Sequence, residues 1–139
     1  MSRDHRKDLI ERAFAHYQPD TLDTYLELYH PRARLHFLPP GLPQGRDGSR
    51  LRDLLLLTAF PDGKVVFEDW VIDGDQYAAR FRFDGTHRGE FMGVPPTHQR
   101  VSMTGITIMR FEGDQVVERW SEMNYLGLLQ ALGVLPFPH

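Results

Sequence analysis

The sequence contains no cysteine, which excludes disulfide bonds, thiol nucleophiles and thiolate metal ligands. Long apolar runs are missing too: the longest purely aliphatic stretch is Leu54 to Leu57, whereas a helix that spans a bilayer needs about 20 apolar residues. The amino terminus is charged and does not resemble a secretory signal. We therefore expect a cytoplasmic protein with no membrane partner.

An excess of positive charge is also absent. Lys and Arg number 16 against 19 Asp and Glu, for a net charge of −3, so no overall positive field favours a nucleic acid partner. The densest basic run, Arg46 to Arg52, is interrupted by Asp47 and followed by Asp53. This pattern is typical of the solvated start of a helix.

Familiar cofactor and metal motifs are missing from the sequence. It contains no Gly-x-Gly-x-x-Gly, no phosphate loop and no Gly-x-Ser-x-Gly. None of the histidines forms a close pair with a neighbouring acid at the spacing of a metal site. These histidines are His5, His16, His30, His36, His87, His98 and His139. We expect no metal and no cofactor.

The first 60 residues have helical periodicity. Apolar residues at three- and four-residue spacing predict one helix from about Asp4 to Tyr17 and a second from about Leu22 to Tyr29, closed by Pro31. A third helix is predicted from Arg50 to Ala59, ahead of a turn signal. Between the second and third helices, alternating apolar residues predict a short strand at Ala33, Leu35 and Phe37.

From Lys64 onward the periodicity changes to two residues, which indicates β-strands. Four runs fit this pattern: Val65 to Ile72, Gln76 to Phe83, Arg100 to Phe111, and Gln115 to Met123. Asp-Gly-Asp and Glu-Gly-Asp turns join them in pairs. A short closing helix is predicted from Tyr125 to Leu132. Helices followed by antiparallel hairpins predict an α+β fold, here one domain over residues 1–139.

Three segments together resemble a known family. They are Ala-Phe-Pro-Asp from Ala59, Gly-Thr-His-Arg-Gly-Glu-Phe-Met-Gly-Val-Pro-Pro-Thr from Gly85, and Leu-Gly-Leu-Leu-Gln-Ala-Leu-Gly from Leu126. With this order of elements, the chain resembles the SnoaL-like polyketide and ester cyclases of the nuclear-transport-factor-2-like (NTF2-like) superfamily. The resemblance implies a cone: a strongly curved, mainly antiparallel sheet covered by N-terminal helices around an apolar cavity.

The resemblance also implies an activity. It implies a homo-oligomeric enzyme, a homodimer or a higher homo-oligomer, that closes a ring in an aromatic polyketide by intramolecular aldol condensation without a metal or organic cofactor. Such chemistry needs a base that removes a proton from a carbon between carbonyls, and a donor that stabilises the enolate oxygen. A hydrophobic small molecule is the partner that this implies.

The positions that match the family's acid and base residues hold other polar residues here. On the closing strand the family tends to carry aspartate where this chain has Ser121 or Asn124, and Thr107 corresponds to a family histidine. Hydroxyl and amide groups donate hydrogen bonds but are not bases near neutral pH. Glu122 lies one residue from Ser121, within a possible shift of the alignment, so it is a further candidate.

Three other ionisable residues are candidates with competing structural roles. His87, between Gly85 and Gly89, can serve as a base or can cap a turn or line a dimer contact. Glu90 is a cavity carboxylate or, as we favour, a rim residue bonded to backbone amides. For His36, an interior or edge position is favoured over a catalytic one.

Several aromatic and thioether side chains are candidates for a wall around a flat polycyclic ligand, although each alone fits core packing equally well. With His36, the predicted substrate-binding residues are Tyr17, Tyr29, Phe37, Met92, Met103, Met109 and Trp120. They indicate an apolar ligand but do not identify it.

Three functions remain open at this point. The leading one is polyketide cyclase-type acid–base chemistry. The second is another reaction in the same cone, such as isomerisation, epoxide hydrolysis or cofactor-free oxygenation, and the third is a non-catalytic binding dimer. Some strands have apolar residues at both odd and even positions, as in Val65-Val66-Phe67 and Ile106 to Phe111. Both faces of the sheet are then partly apolar, which favours a dimer because a partner would cover the second face.

Overall fold

A computed structural model describes residues 3–134 of the chain, and His139 lies outside that range. The helices are α1 (Arg3–Phe14), α2 (Leu22–Leu26), α3 (Gly45–Ala59) and α4 (Tyr125–Ala131). The strands are β1 (Tyr29–Leu35), β2 (Lys64–Asp73), β3 (Gln76–Thr86), β4 (Arg100–Glu112) and β5 (Gln115–Met123). The α+β class is confirmed.

The five strands form one sheet in the order β1-β5-β4-β3-β2. Strands β2 to β5 pair antiparallel, whereas β1 runs parallel to β5 at the edge. The two predicted hairpin turns are confirmed. Gly74 and Gly113 have φ of +58° and +59° in them, a conformation that glycine adopts without steric cost.

Strict alternation in β3 and β4 gives the sheet a buried inner face and a more exposed outer face. The inner face packs with the helices into one apolar core, in which Phe14 of α1 meets Phe67 of β2 with ring centroids 5.0 Å apart. Tyr77, Phe83 and Met109 are core residues of the inner face. The sheet and helices therefore enclose an interior, as the resemblance implied.

A bulge in β5 decides which of its side chains face that interior. Arg110 pairs with Glu118 and Phe111 with Val116, so the ladder skips Val117. Beyond the bulge, Arg119 is buried on the inner face while Glu118 pairs with outer-face residues. One extra residue thus turns an arginine inward.

Three helix boundaries differ from the prediction. The first helix ends at Phe14, three residues before Tyr17. The second helix ends at Leu26, and Tyr29 instead begins β1. Pro31 lies inside β1, where it is tolerated because an edge strand pairs on one side only. The third helix begins at Gly45, five residues before Arg50. The preceding Gln44 side chain anchors this start, since it bonds both the amide and the carbonyl of Leu35.

Candidate active site in the interior of the cone

A cavity of about 550 Å³ opens beside α3 and residues 87–99, which connect β3 to β4; we term it the outer cavity. Its walls are mainly apolar, with a guanidinium, a carboxylate and a phenol among them. The lining residues are Phe37, Pro39, Arg52, Leu55, Leu56, Glu90, Phe91, Met92 and Tyr125. Apolar walls with a few polar groups are typical of a small-molecule site.

A second space of about 20 Å³, the inner chamber, lies deeper among the core side chains. Arg52 and Leu56 line both spaces, so the chamber adjoins the outer cavity. Its further wall residues are Phe14, Tyr17, Tyr25, Val65, Phe81, Phe83, Met103, Arg119 and Met123. A space of this volume holds one water molecule or one oxygen atom of a ligand.

Helix α3 turns a polar stripe towards this interior. Ser49, Arg52 and Asp53 are all buried there, at the spacing that places residues on one helix face. The Asp53 carboxylate accepts hydrogen bonds from the hydroxyls of Tyr17 and Ser49, each 2.7 Å, and from Nη1 of Arg52 at 3.1 Å. Buried and satisfied on both oxygens, Asp53 positions Tyr17 and Arg52.

Arg52 connects this stripe to the wall of the outer cavity. Its Nη2 donates to the Tyr125 hydroxyl at 2.9 Å and lies 3.0 Å from the sulfur of Met123. The guanidinium also lies 5.5 Å from the centroid of the Phe37 ring, a cation–π contact. The cavity wall therefore carries a fixed positive charge that is held in place by residues from α3 and from the chain around α4.

A second guanidinium, that of Arg119, lies on the inner face of β5. Nε donates to the hydroxyls of Thr107 and Ser121, at 2.9 and 3.1 Å. Nη1 donates to the hydroxyls of Tyr29 and Tyr25, at 2.6 and 3.4 Å. Phe37 lies 4.9 Å from this guanidinium as well, so its ring contacts both interior arginines.

Tyr17 and Tyr25 stay protonated near neutral pH. Burial, followed by the negative charge of Asp53, raises the pKa of Tyr17 well above the usual value for tyrosine. Burial also raises the pKa of Tyr25. Both side chains are therefore neutral hydroxyl donors in the wall of the inner chamber.

Ser121 and Thr107, predicted from the family's acid–base positions, meet in the interior, with their hydroxyl oxygens 2.7 Å apart. Both are buried, and Thr107 also donates to the Trp120 carbonyl at 2.9 Å. Their contribution is hydrogen bonding to Arg119, because neither hydroxyl is a base.

The other two predicted residues of the closing strand lie elsewhere. Glu122 is exposed on the outer face, opposite Ile106. Asn124 caps α4, since its Oδ1 accepts a 2.9 Å hydrogen bond from the amide of Gly127. Neither side chain lines the outer cavity or the inner chamber.

His87 is fully buried at the start of residues 87–99. Its Nδ1 lies 3.2 Å from the amide and 3.0 Å from the hydroxyl of Thr97, and its ring lies 5.5 Å from that of Phe60. Within residues 3–134 its Nε2 has no hydrogen-bond partner. The histidine joins the two ends of the connecting segment and is not among the residues that line either space.

Glu90 is the carboxylate of the outer cavity wall. The preceding amides of Arg88 and Gly89 both donate to the Ala59 carbonyl, at 2.9 and 3.1 Å, which ties this segment to the end of α3. The Glu90 side chain is exposed and makes no hydrogen bond to any described residue. Its carboxylate is available to a ligand.

Half of the predicted wall residues line one of the two spaces. Phe37 and Met92 line the outer cavity, and Tyr17 and Met103 line the inner chamber.

The remaining wall candidates have other positions. Tyr29 is buried against Arg119, and Met109 is fully buried in the core. His36 and Trp120 stack on each other, 5.2 Å between ring centroids. Because Trp120 alternates with the inward-facing Arg119 and Ser121, this pair lies on the outer face of the sheet.

Arg52, Asp53 and Arg119 were not among the site residues predicted from the sequence. Arg52 and Asp53 were interpreted as part of a solvated helix start, which is wrong, since both are buried. A signal was present: with Ser49 and Leu56 they repeat at three- and four-residue spacing, the pattern of one buried helix face. For Arg119 the signal was weaker, because the bulge at Val117 changes which alternate residues of β5 face the interior.

Metal and membrane features can be assessed for the described part of the chain. Across residues 3–134, no three His, Asp or Glu side chains come together in a way that could hold a metal ion. In the same range, each helix is too short or too polar to cross a membrane.

Solved structures with this architecture include three from Streptomyces. TsrD of Streptomyces laurentii is 28% identical, with TM-score 0.86 over 97% of this chain and 99% of its own. AclR of Streptomyces galilaeus, a proposed hydroxylase, is 32% identical, with TM-score 0.84 over 97% and 100%. IdmH of Streptomyces antibioticus, a proposed polyketide cyclase, is 33% identical, with TM-score 0.81 over 93% and 99%.

Comparison with curated protein sequences gave no match. The model of the SnoaL-like polyketide cyclase family, in contrast, matches residues 7–132. That range includes all of the strands and the residues that line both interior spaces. The chain belongs to the SnoaL-like polyketide cyclase family and has its NTF2-like fold.

Proposed function

We propose that the chain is a cyclase-type enzyme that closes a ring in a hydrophobic, polyketide-like carbonyl compound by intramolecular aldol chemistry. One observation carries the proposal: Glu90 and the guanidinium of Arg52 lie in the wall of the same apolar cavity. A base and a cationic hydrogen-bond donor are the two groups that enolate chemistry requires.

The outer cavity suits a flat, largely apolar ligand. Its volume of about 550 Å³ is within the usual range of about 300–1,000 Å³ for small-molecule sites. Phe37 and Phe91 offer aromatic faces, and Leu55 and Met92 add apolar surface at the opening. Stacking on the aromatic rings would orient the ligand's carbonyl groups towards the polar part of the wall.

Glu90 is the proposed general base. Its carboxylate accepts a proton from the carbon between two carbonyls of the ligand, and the electron pair of that C–H bond moves to the carbonyl oxygen to form an enolate. Entry of an apolar ligand removes water from the carboxylate, which makes it more basic.

Arg52 and Tyr125 are the proposed enolate-stabilising groups. Both line the outer cavity and bond each other at 2.9 Å, so their positions are set before the ligand binds. The enolate carbon then attacks a second carbonyl carbon of the same molecule and closes the ring. The resulting alkoxide takes back the proton that Glu90 holds, so the step is balanced.

A second candidate is hydroxylation. It is favoured by the 32% identity with AclR, a proposed hydroxylase, and by the hydroxyls of Ser121 and Thr107 where an acid–base pair was expected. That reaction would need dioxygen and two electrons from the ligand or an added reductant. Its product gains an oxygen atom, whereas aldol closure leaves the mass unchanged or loses water.

Conversion of an aromatic polyketide ester, followed by mass spectrometry, tests the proposal. We expect a ring-closed product from the wild type and a rate that is lower by roughly 10²–10⁴-fold in Glu90→Gln. Glu122→Gln is the matched control, because the same change is made on the outer face. Equal rates for Glu90→Gln and the wild type would overturn the role of Glu90. Thermal stabilisation by the ester without conversion would indicate a binding module.

We also propose that the protein forms a homodimer through the outer face of the sheet. Exposed apolar side chains there come from three strands. They are Val71, Ile106, Ile108 and Trp120. A symmetric partner would cover them, and size-exclusion chromatography with light scattering at micromolar concentration tests this. A monomer under those conditions would contradict the dimer.

A further inference from the structure

Arg119 is a buried cation that has no carboxylate partner among the described residues. Its hydrogen bonds go to four hydroxyls, those of Thr107, Ser121, Tyr25 and Tyr29, and within residues 3–134 its Nη2 makes none. The other interior arginine is different, since Arg52 pairs directly with Asp53. Among the described residues, the interior therefore holds two guanidiniums, Arg52 and Arg119, and one carboxylate, Asp53.

The neighbouring carboxylate on β5 does not supply the missing charge. Glu118 belongs to the outer face, where it pairs with Arg34, His36 and Arg110 at 2.8–3.2 Å. A buried charge is costly unless it is paired, and a guanidinium does not lose its proton in a protein. Asp53 acts on Arg119 only through space. Because no carboxylate among the described residues contacts it, Arg119 is expected to take a direct counter-charge from a ligand.

The hydroxyl pair of Tyr25 and Tyr29, beside Arg119, has one proton without a hydrogen-bond acceptor in the described part of the chain. The hydroxyls of Tyr25 and Tyr29 bond each other at 2.8 Å, which uses one of their two phenolic protons. Their other contact is with Arg119, which only donates. One phenolic proton of the pair is therefore left without an acceptor among the described residues, and Tyr25 lines the inner chamber.

The size of the chamber limits what can satisfy these donors. About 20 Å³ accommodates one oxygen atom but is too small for a larger anion such as phosphate. Apart from the two arginines and two tyrosines, the walls are aromatic rings, aliphatic groups and methionines. A single negatively charged oxygen on a hydrophobic body matches this set.

We propose that the inner chamber is an anion site that binds one ionised oxygen of the ligand, a phenolate or an enolate, with Arg119 as its counter-ion. The inference rests on the proposed function in one respect: the ligand enters from the adjoining outer cavity. It deepens that function by specifying the substrate class, because an acidic phenol or enol becomes a required feature of the ligand.

The direct test uses 4-nitrophenol, whose ionisation changes its absorbance near neutral pH, and its methyl ether 4-nitroanisole, which cannot ionise. Absorbance titration should show that the bound phenol ionises at a lower pH than the free phenol. Competition should show that the phenolate binds roughly tenfold more tightly than the ether, the size expected of one charge-assisted hydrogen bond.

Two variants of Ser121 test whether the preference for the phenolate depends on the charge of Arg119. Ser121→Asp places a carboxylate beside Nε of Arg119, where the serine oxygen now lies at 3.1 Å, and should abolish the preference for the phenolate. Ser121→Asn, of nearly the same size but neutral, should keep it. Arg119→Gln should lose it as well, and thermal unfolding establishes that each variant is folded.

Two results would overturn the anion site. One is equal affinity of the wild type for phenol and ether at every pH. The other is a tyrosinate absorbance at neutral pH that disappears in Arg119→Gln, because the protein would then supply the charge itself.

The measurement does not depend on turnover. Phenolate preference without ester conversion would contradict the cyclase and leave the anion site standing. Ester conversion without a preference for the phenolate would contradict the anion site and leave the proposed cyclase activity standing.

Discussion

The hydroxyl of Tyr17 donates a 2.7 Å hydrogen bond to Oδ1 of Asp53, and so links the chain between α1 and α2 to the buried face of α3. The same carboxylate holds Arg52, which lines both the outer cavity and the inner chamber. This contact therefore connects the packing of the helices to the position of the charge in the site.

Replacement of Asp53 should strongly destabilise the folded protein. In Asp53→Asn the charge of Arg52 loses its buried partner, which is expected to lower the free energy of unfolding by roughly 3–5 kcal/mol. Urea denaturation measures this value. Tyr17→Phe removes one hydroxyl and leaves the ion pair, so a loss of only about 1–2 kcal/mol is expected. Losses of similar size in the two variants would contradict the ion-pair explanation.

Variants of Asn124 distinguish a structural role of this residue from a catalytic one. We expect Asn124→Ala to lower the free energy of unfolding by about 1 kcal/mol, because the Gly127 amide loses its cap. Asn124→Asp should keep the cap and the stability. Ester conversion per folded molecule should be the same in both variants as in the wild type, and a large loss of rate in a folded Asn124→Ala protein would restore the catalytic role.

The strands and turns were predictable because their information is local. Alternation over Gln76 to Phe83 and Arg100 to Phe111 set the inner and outer faces, and the glycine turns set the hairpins. The second helix was overextended, since the apolar spacing continues to Tyr29. That residue belongs to β1, and the parallel pairing of β1 with β5 is made with residues more than 80 positions later in the chain.

The site was predicted only in part. The resemblance led to Ser121 and Thr107, which do face the interior. It did not lead to Arg119, because a single bulge residue, Val117, reverses the expected alternation. Tyr17 and Met109 are both buried, yet only Tyr17 lines a described space. That distinction depends on how the sheet and helices pack, which periodicity does not encode.

Gly89 should control how residues 87–99 sit over the outer cavity. A Cβ atom at this position would lie 2.5 Å from the Thr58 carbonyl oxygen, so Gly89→Ala must displace the segment that carries Glu90. We expect weaker ligand binding, by roughly tenfold if about 1.4 kcal/mol of binding energy is lost. Calorimetric titration with a polycyclic ketone measures this affinity.

Gly74→Ala is the control for Gly89→Ala. Gly74 has φ of +58° in the distant β2–β3 turn, with no atom near the added Cβ. Its replacement should cost about 1 kcal/mol of stability through backbone strain and leave the affinity unchanged. Equal loss of affinity in both variants would show that the effect is not specific to the cavity.

Glu118 should make the fold sensitive to acid. Its hydrogen bond with His36, aided by Arg110 and Arg34, holds the pKa of Glu118 below its ordinary value of 4.5, although burial opposes this. The contribution to stability is therefore complete above that value and is lost as the pH falls through the lower pKa of the folded state. Melting temperatures from pH 7 to pH 2 should fall less steeply in Glu118→Gln than in the wild type. Glu122→Gln, on the same strand, should show the same pH dependence as the wild type. Parallel curves for all three proteins would exclude Glu118 as the source of the acid sensitivity.

Deuterium exchange at a ligand carbon tests most directly whether Glu90 removes a proton from an acidic carbon. An aryl β-keto ester in D₂O contains such a carbon between two carbonyls, and proton NMR follows the loss of its signal without requiring ring closure. We expect the wild type and Glu122→Gln to accelerate exchange well above the rate in buffer, and Glu90→Gln to be slower by roughly 10²–10⁴-fold. Exchange no faster than in buffer, or equally fast with Glu90→Gln, would contradict the role of Glu90 as the base.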